Sequence, residues 1–269
     1  MPLRVLIKGA GEQASGTAHR LFRCGFRVVL TDREQPSAVR RRVSFASALY
    51  EGGVAVEGIN ARAWTLEGAV TLAGFDWRHL PVFCDPDDQL RRRWHPDVII
   101  DARILKRNQG NAMDQAPLVI GYGPGIEAGL HVHAVVETNR GHDLGRIITR
   151  GAAAADTGIP GTIAGVSEGR VLRAPCDGEL VVLHDIGAVV EAGEELARVA
   201  GSSVHAGIGG MVRGMAHPGL LVRRGQKLGD VDPRCDPRAC ITISDKARTI
   251  SGAALEHIIT TFGLGPIAP

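Results

Sequence analysis

No stretch of this sequence approaches the ~20 consecutive apolar residues that a helical membrane span requires, and no membrane partner is expected. Charge of one sign is missing too. Lys and Arg number 31 against 29 Asp and Glu, a net of +2, and so weak a field gives no reason to expect nucleic acid as a partner. The cysteines, Cys24, Cys84, Cys176, Cys235 and Cys240, are odd in number and scattered. That excludes a regular disulfide framework and suits reduced thiols in a cytoplasm. The spacing of Cys235 and Cys240 is not that of a zinc knuckle, and no second ligand pair accompanies it. Residues 1–8 lack the longer apolar region and cleavage site of a secretory signal and read as a first strand. A cytoplasmic protein is expected. Glycine, by contrast, is abundant: 35 residues without a collagen period imply many tight turns and close backbone approaches.

The first half reads as βα units. Residues 3–8 form a strand that stops at Gly9, and a helix follows from Gly11 to Cys24 with Ala14, Ala18, Leu21 and Phe22 inward. A second strand covers 26–31. Gly9 permits the reversal, Gly11 lets backbone approach a pyrophosphate, and small Ala14 lets the helix pack on the sheet, with Gly16 closing the motif. Free N–H groups at the helix start favour an anion. Asp32, at the end of the second strand, stands where an acid would accept a ribose hydroxyl. A helix is predicted over 36–50, with Arg40-Arg41-Arg42 either a solvated face or a source of one phosphate ligand. A small hairpin follows at 54–56 and 61–65. Short apolar runs at 81–84, 97–101 and 118–120 are of the buried parallel kind. Ligands of such sheets lie beyond the strand carboxyl ends. There the sequence puts Asp85, then Asp101 with Lys106, Arg107 and Asn108, then the loop of Gly121, Gly123 and Gly125.

A strand over 131–138 would place His131, His133 and Glu137 on one face, followed by Asn139, Arg140, His142 and Asp143. These side chains could ligate a metal, move protons or hydrogen-bond within a polar interface. Residues 157–161 read as a tight loop at a domain junction.

The second half repeats itself. At an offset of 32 residues Ala174 falls on Ala206, Gly178 on Gly210, Gly187 on Gly219, Val190 on Val222, Gly193 on Gly225, Leu196 on Leu228 and Val199 on Val231. Two such units resemble the barrel-sandwich hybrid of biotinyl and lipoyl domains. Those domains carry a cofactor lysine at the joint of the halves. Here the joint is Ala200-Gly201-Ser202-Ser203, so neither biotin nor lipoate is expected. A final helix is predicted from Ser244 to about Phe262, with Ile250, Ala254, Ile258 and Thr261 on one face and Asp245 and Lys246 at the domain junction. The fold class is α/β: a Rossmann-like parallel sheet domain (1–165), an all-β barrel-sandwich hybrid (166–234) and a C-terminal segment (235–269) whose helix packs back on the first domain.

Several strings together resemble the selenium-dependent molybdenum hydroxylase system protein family, nearly end to end. They are Ile7-Lys8-Gly9-Ala10-Gly11, residues 35–41, residues 117–125, residues 132–146 and Ile243-Ser244-Asp245-Lys246-Ala247, with Glu137–Arg146 the most specific. Glu12-Gln13 departs from the Asp-Leu expected there. The resemblance implies an accessory or maturation factor that binds a nucleotide- or phosphate-bearing cofactor, NAD(P) or the molybdenum cofactor, and hands it to a molybdenum hydroxylase. Two alternatives stand beside it: an NAD(P)-dependent oxidoreductase using His131, His133 or Lys106, and a non-catalytic scaffold recruiting an enzyme through the repeat domain. A catalytic role, the handling of selenium and a homo-oligomeric state are left open by the sequence.

Overall fold

Alternating side chains on short apolar strands bury both faces of one large sheet. The computed structural model describes residues 2–67, 72, 75–158, 161–167 and 169–263. The first half runs β1 (Arg4–Lys8), α1 (Glu12–Arg23), β2 (Arg27–Asp32), α2 (Ala48–Glu51), β3 (Gly53–Val56), β4 (Ile59–Trp64), β5 (Leu80–Cys84), α3 (Gln89–Trp94), β6 (Val98–Asp101), β7 (Leu118–Tyr122), β8 (Glu127–Ala128), β9 (Ala134–Val136), β10 (Ile147–Ile148) and β11 (Gly151–Ala152). Nine of these strands form one sheet in the order β10-β9-β7-β6-β1-β2-β5-β4-β3. From β4 to β9 all neighbours are parallel, and only the outermost strands β3 and β10 pair antiparallel. The chain steps from β1 to β2, runs out to the β3–β4 edge hairpin, comes back to β5 beside β2, and then crosses to β6 on the other side of β1. Val5, Ile7, Val28, Leu30, Val98 and Ile100 face one core, while Leu6, Val29, Phe83, Ile99 and Val119 face another. This is the period-two burial expected of a sheet covered on both sides.

The second half contributes β12 (Val171–Arg173), β13 (Gly178–Val182), β14 (Val189–Val190), β15 (Glu195–Val199), β16 (Ser202–His205), β17 (Gly210–Met215), β18 (Leu221–Val222) and β19 (Lys227–Asp232). They make two four-stranded antiparallel sheets, β12-β19-β17-β14 and β16-β15-β13-β18. Each sheet takes two strands from each repeat. The exchange is reciprocal down to single hydrogen bonds: Gly193 N donates to Ala206 O and Gly225 N to Ala174 O, both at 2.8 Å. Gly178 and Gly210 share φ +151°, so the equivalent turns also match in conformation.

After α4 (Arg238–Ile241), α5 (Asp245–Phe262) returns to the first core. Ser244 caps it, its Oγ accepting from Ala247 N at 3.2 Å, and Gly263 ends it at φ +64°. Ile250, Ala254 and Ile258 are buried beside Val5, Ala18 and Leu21, whereas Thr261 lies exposed in the last turn. Gly16 makes this contact close: a Cβ there would stand 3.0 Å from Ala247 Cβ and 3.3 Å from Ile243 Cγ2.

Two predicted elements differ. Residues 36–50 are not one helix but two 3-10 turns, Arg41–Val43 and Phe45–Ser47, leading into α2. Ser44 Oγ donates to Arg40 O and Ser47 Oγ to Arg41 O at 2.8 and 2.9 Å, and Val39 O accepts from Met215 N at 2.7 Å. Side-chain bonds and the repeat strand thus claim the backbone groups a helix would use. The strand expected over 131–138 is regular only at β9, because a turn at Gly129, φ +86°, carries the chain in. The loop expected at 157–161 includes Ile159 and Pro160, which lie outside the described residues.

A direct consequence concerns Gly16→Val. The added branch must push α5 from α1, and over-packing of this kind costs about 1–3 kcal/mol. Urea unfolding should show a lower midpoint; an unchanged midpoint would mean that the two helices do not meet so closely.

Candidate functional site

Side chains from both halves converge on a cleft of about 350 Å³. Its floor comes from segments that follow sheet strands: Glu12 and Gln13 in the first turn of α1, Arg40 after β2, Lys106 after β6, Pro124 after β7, and Asn139 and Arg140 after β9. Those are the carboxyl ends where open parallel sheets hold ligands. The opposite wall carries Arg170, Arg213 on β17, and Lys227 and Asp230 on β19, and the start of α5 adds Ser244 and Lys246.

Cations outnumber anions on this surface. Arg40, Lys106, Arg140, Arg170, Arg213, Lys227 and Lys246 face only Glu12, Asp156 and Asp230. Arg170 Nη1 donates to Asp230 Oδ2 at 3.1 Å, and Arg213 Nη1 lies 3.6 Å from the same oxygen. Buried Arg40 donates to Glu12 Oε1 at 3.2 Å and to the carbonyls of Ala239 and Thr242 at 2.8 and 3.2 Å. Lys106 pairs with Asp156 at 2.6 Å. Arg140 forms a two-pronged bridge to Asp245 at 2.8 and 2.9 Å. Among the described residues, the ammonium groups of Lys227 and Lys246 have no hydrogen-bond or ion-pair partner. Burial lowers the pKa of Lys227, with Arg170 and Arg213 adding to the effect against Asp230 and Glu12. Burial likewise lowers that of Lys246, with Arg140 and Lys227 pressing the same way against Glu12 and Glu137.

Unsatisfied polar atoms gather at the same place. Gln13 Oε1, Arg40 Nε, Arg213 Nε and Asp230 Oδ1 are buried without a hydrogen-bond partner. Arg213 Nε is 4.0 Å from Asp232 Oδ2, beyond hydrogen-bonding reach. Buried polar groups are almost always satisfied, and four of the five exceptions among the described residues lie here, beside the unpaired lysines.

Of the residues singled out in the sequence, the structure brings Lys106, Asn139 and Arg140 into this cleft. Arg40, from the arginine run, and Lys246 join them. Of the glycine turn, only Glu12 and Gln13 reach the cleft, and the glycines do not. Gly9 adopts φ +94°, Ala14 and Gly16 pack into the core, and a Cβ on Gly11 would meet Ala38 at 3.9 Å. Asp32 Oδ2 accepts from Ala10 N at 2.8 Å, so the acid folds back onto the turn, and burial raises its pKa against that bond and the one from Arg33. Asp101 is enclosed by Arg103, at 2.9 and 2.7 Å, and by Asn111 Nδ2 at 2.6 Å. Asn108 bonds to Asn111 within its own loop. Arg107 is exposed, and its backbone N sits 2.3 Å from where a Gly125 Cβ would be. Any side chain at Gly125 would thus part the two loops. Gly121 and Gly123 approach Ile126 and Thr138 in the same manner. Glu137 is buried, accepting from Asn139 N and Ala154 N at 2.7 Å each; it shapes the cleft's edge from behind. His133 Nδ1 accepts from Val119 N and His131 Nδ1 from Glu127 N. Asp143 pairs with Arg146, and His142 is exposed. Among the described residues, no group of three or more His, Cys, Asp or Glu could hold a metal ion, and no helix is long and apolar enough to cross a membrane.

No family model matches the chain. It is 41% identical over 258 residues to the uncharacterized protein YqeB of Escherichia coli (strain K12), a match covering 95% of this chain and 47% of that protein. The chain therefore spans about half the length of the curated relative it matches. Among solved structures, the product-bound ectoine utilization protein EutE (DoeB) from Ruegeria pomeroyi aligns over 86% of this chain and 85% of that one, at 14% identity and a TM-score of 0.26. A succinylglutamate desuccinylase from Silicibacter sp. TM1040 aligns over 86% and 85% at 12% identity and a TM-score of 0.25.

Arg170, Arg213, Lys227 and Asp230 are among the site residues that sequence reasoning missed. A signal for three of them exists where the repeat breaks. At the repeat offset Arg213 stands opposite Val181, Lys227 opposite Glu195 and Asp230 opposite Arg198. Glu195 and Arg198 pair with each other on the outside at 2.8 Å, while their counterparts face the cleft.

The enclosed Asp101 makes a separate prediction. Burial alone would raise its carboxyl, but the bonds and charge of Arg103 with the bond from Asn111 hold it below the usual range. A depressed folded pKa stabilises the fold above the ordinary carboxylate value near 3.9 and loses that contribution as pH falls below it. Asp101→Asn should cost about 3 kcal/mol at neutral pH, with the deficit shrinking toward pH 2–3. Urea titrations at both pH values check this, and a deficit independent of pH would count against it.

Proposed function

We propose that this chain binds a phosphate-bearing organic ligand in the cationic cleft and serves as an accessory, maturation factor of a selenium-dependent molybdenum hydroxylase system. The observation that carries the ligand reading is the gathering of unpaired Lys227 and Lys246 with four orphaned buried polar atoms. An anion there would supply acceptors to Arg40 and Arg213 and counter-charge to the lysines. The maturation role rests on the string resemblance, whose most specific part, Glu137–Arg146, contributes Asn139 and Arg140 to the cleft.

In this reading residues 1–165 are a Rossmann-type unit, supported by seven parallel strands whose order reverses beside β1. Residues 166–234 are a barrel-sandwich hybrid, supported by the reciprocal strand exchange. The remaining segment docks α5 on the first unit. The ligand meets the glycine turn only at Glu12 and Gln13; at the glycines themselves Asp32 already takes the Ala10 N–H and Ala38 lies over Gly11. That placement weighs against an NAD(P)-dependent oxidoreductase of ordinary geometry. A scaffold role finds support in the exposed Val181, Leu183, Val189 and Leu221 of the repeat half, which would suit the hydroxylase as partner.

Differential scanning fluorimetry of the full chain with molybdopterin cytosine dinucleotide, NADP+ and ADP-ribose tests the ligand reading. A ligand at a hundredfold its Kd adds about 2.7 kcal/mol, a rise of roughly 5 °C or more, and Lys227→Met should abolish it. No rise with any of the three would refute the reading. For the maturation role, a host lacking the chain should make its hydroxylase protein in normal amount but without activity; full activity there would sink that role.

A further inference from the structure

A second cavity of about 430 Å³ adjoins the first, and the two share Arg40, Arg140, Ile163, Arg213 and Ser244 as a common wall. Beyond that wall the second chamber adds Arg234 and Arg238 with Asp236 and Asp245. Its cations are unevenly spent. Arg140 is held by Asp245 and Arg234 by Asp232, but the exposed guanidinium of Arg238 has no partner among the described residues. Free positive charge is therefore present in both chambers: Lys227 and Lys246 on one side, Arg238 on the other.

The orphaned donors fall between them. Arg40 and Arg213 both belong to the shared wall, and in both it is Nε that is buried without an acceptor. Arg40 already uses both Nη atoms, on Glu12 and on the carbonyls of Ala239 and Thr242, and Arg213 Nη1 is paired with Asp230 at 3.6 Å. A single anion seated on the two lysines would leave this boundary unfilled. Each chamber alone lies within the size range of small-molecule sites, ~300–1,000 Å³. Acceptor oxygens that run through the wall would satisfy both Nε atoms and place negative charge on either side.

Building on the phosphate-ligand reading, we propose that the ligand is of the diphosphate-bridged class. One phosphoryl group faces Lys227 and Lys246, the other faces Arg238, and the bridge lies against Arg40 and Arg213. Gln13 Oε1 and Asp230 Oδ1, orphaned acceptors on the first chamber, receive N–H or O–H groups from the organic part on that side. A phosphate monoester occupies the first chamber only.

Isothermal titration of the full chain with inorganic phosphate and with pyrophosphate tests the assignment, using wild type, Lys227→Met and Arg238→Gln. Arg238 is exposed, so its variant should fold. Pyrophosphate should bind at least thirtyfold tighter than phosphate. Arg238→Gln should weaken pyrophosphate about tenfold while leaving phosphate unchanged, and Lys227→Met should weaken both. Equal affinities for the two anions, or an Arg238→Gln loss shared equally between them, would overturn the two-chamber assignment and leave the phosphate site standing. Binding of neither anion would overturn both.

Discussion

A buried guanidinium joins the parts of this molecule. Arg40 leaves the large sheet after β2, and its own backbone bridges β17 at Met215. Its side chain reaches Glu12 on α1 and the carbonyls of Ala239 and Thr242 ahead of α5. A charge taken so far from water is costly unless every donor is matched. One donor, Nε, is not. Burial lowers the Arg40 pKa, offset first by the charge of Glu12, a carboxylate that also lines the cleft. The joint between the halves and the electrostatics of the cleft are one arrangement.

The repeat half shows how such an arrangement arises from symmetry. Its two units trade strands as equal partners, and their glycines and small apolar residues keep a common register because both must close the same turns and fill the same core. Only the outward positions are released from that constraint. One unit carries a solvated Glu195–Arg198 pair, whereas the other has Lys227 and Asp230 at the equivalent positions, on the cleft. The cleft residues that the two copies supply stand where the copies differ.

Legibility in the sequence follows the same division. Parallel strands, the glycine turn, the repeat register and the final helix are written in local periodicity, and all of them are found in the structure close to their expected bounds. Residues 36–50 escaped because the partner of Val39 and Arg40 is Met215, far along the chain, and no local pattern reports it. The candidate site escaped for the same reason. Asp101, Glu137 and His133 look like ligands one residue at a time, yet each spends its polar atoms on neighbouring backbone or side chains. Lys227 and Lys246 look like ordinary surface lysines until the fold encloses them. Glu12 and Gln13 are the residues of the α1 turn that touch the cleft.

The return of α5 has a consequence for how the protein is made. The core on one face of the large sheet needs Ile250, Ala254 and Ile258 beside Ala18 and Leu21, yet these residues leave the ribosome after both repeats. The half translated first is thus completed last. Until α5 emerges, an apolar sheet face stands open on the nascent chain, a hazard that domains folding strictly in order of synthesis avoid. The repeat half, whose core draws mostly on its own strands, is free to close before the sheet that precedes it.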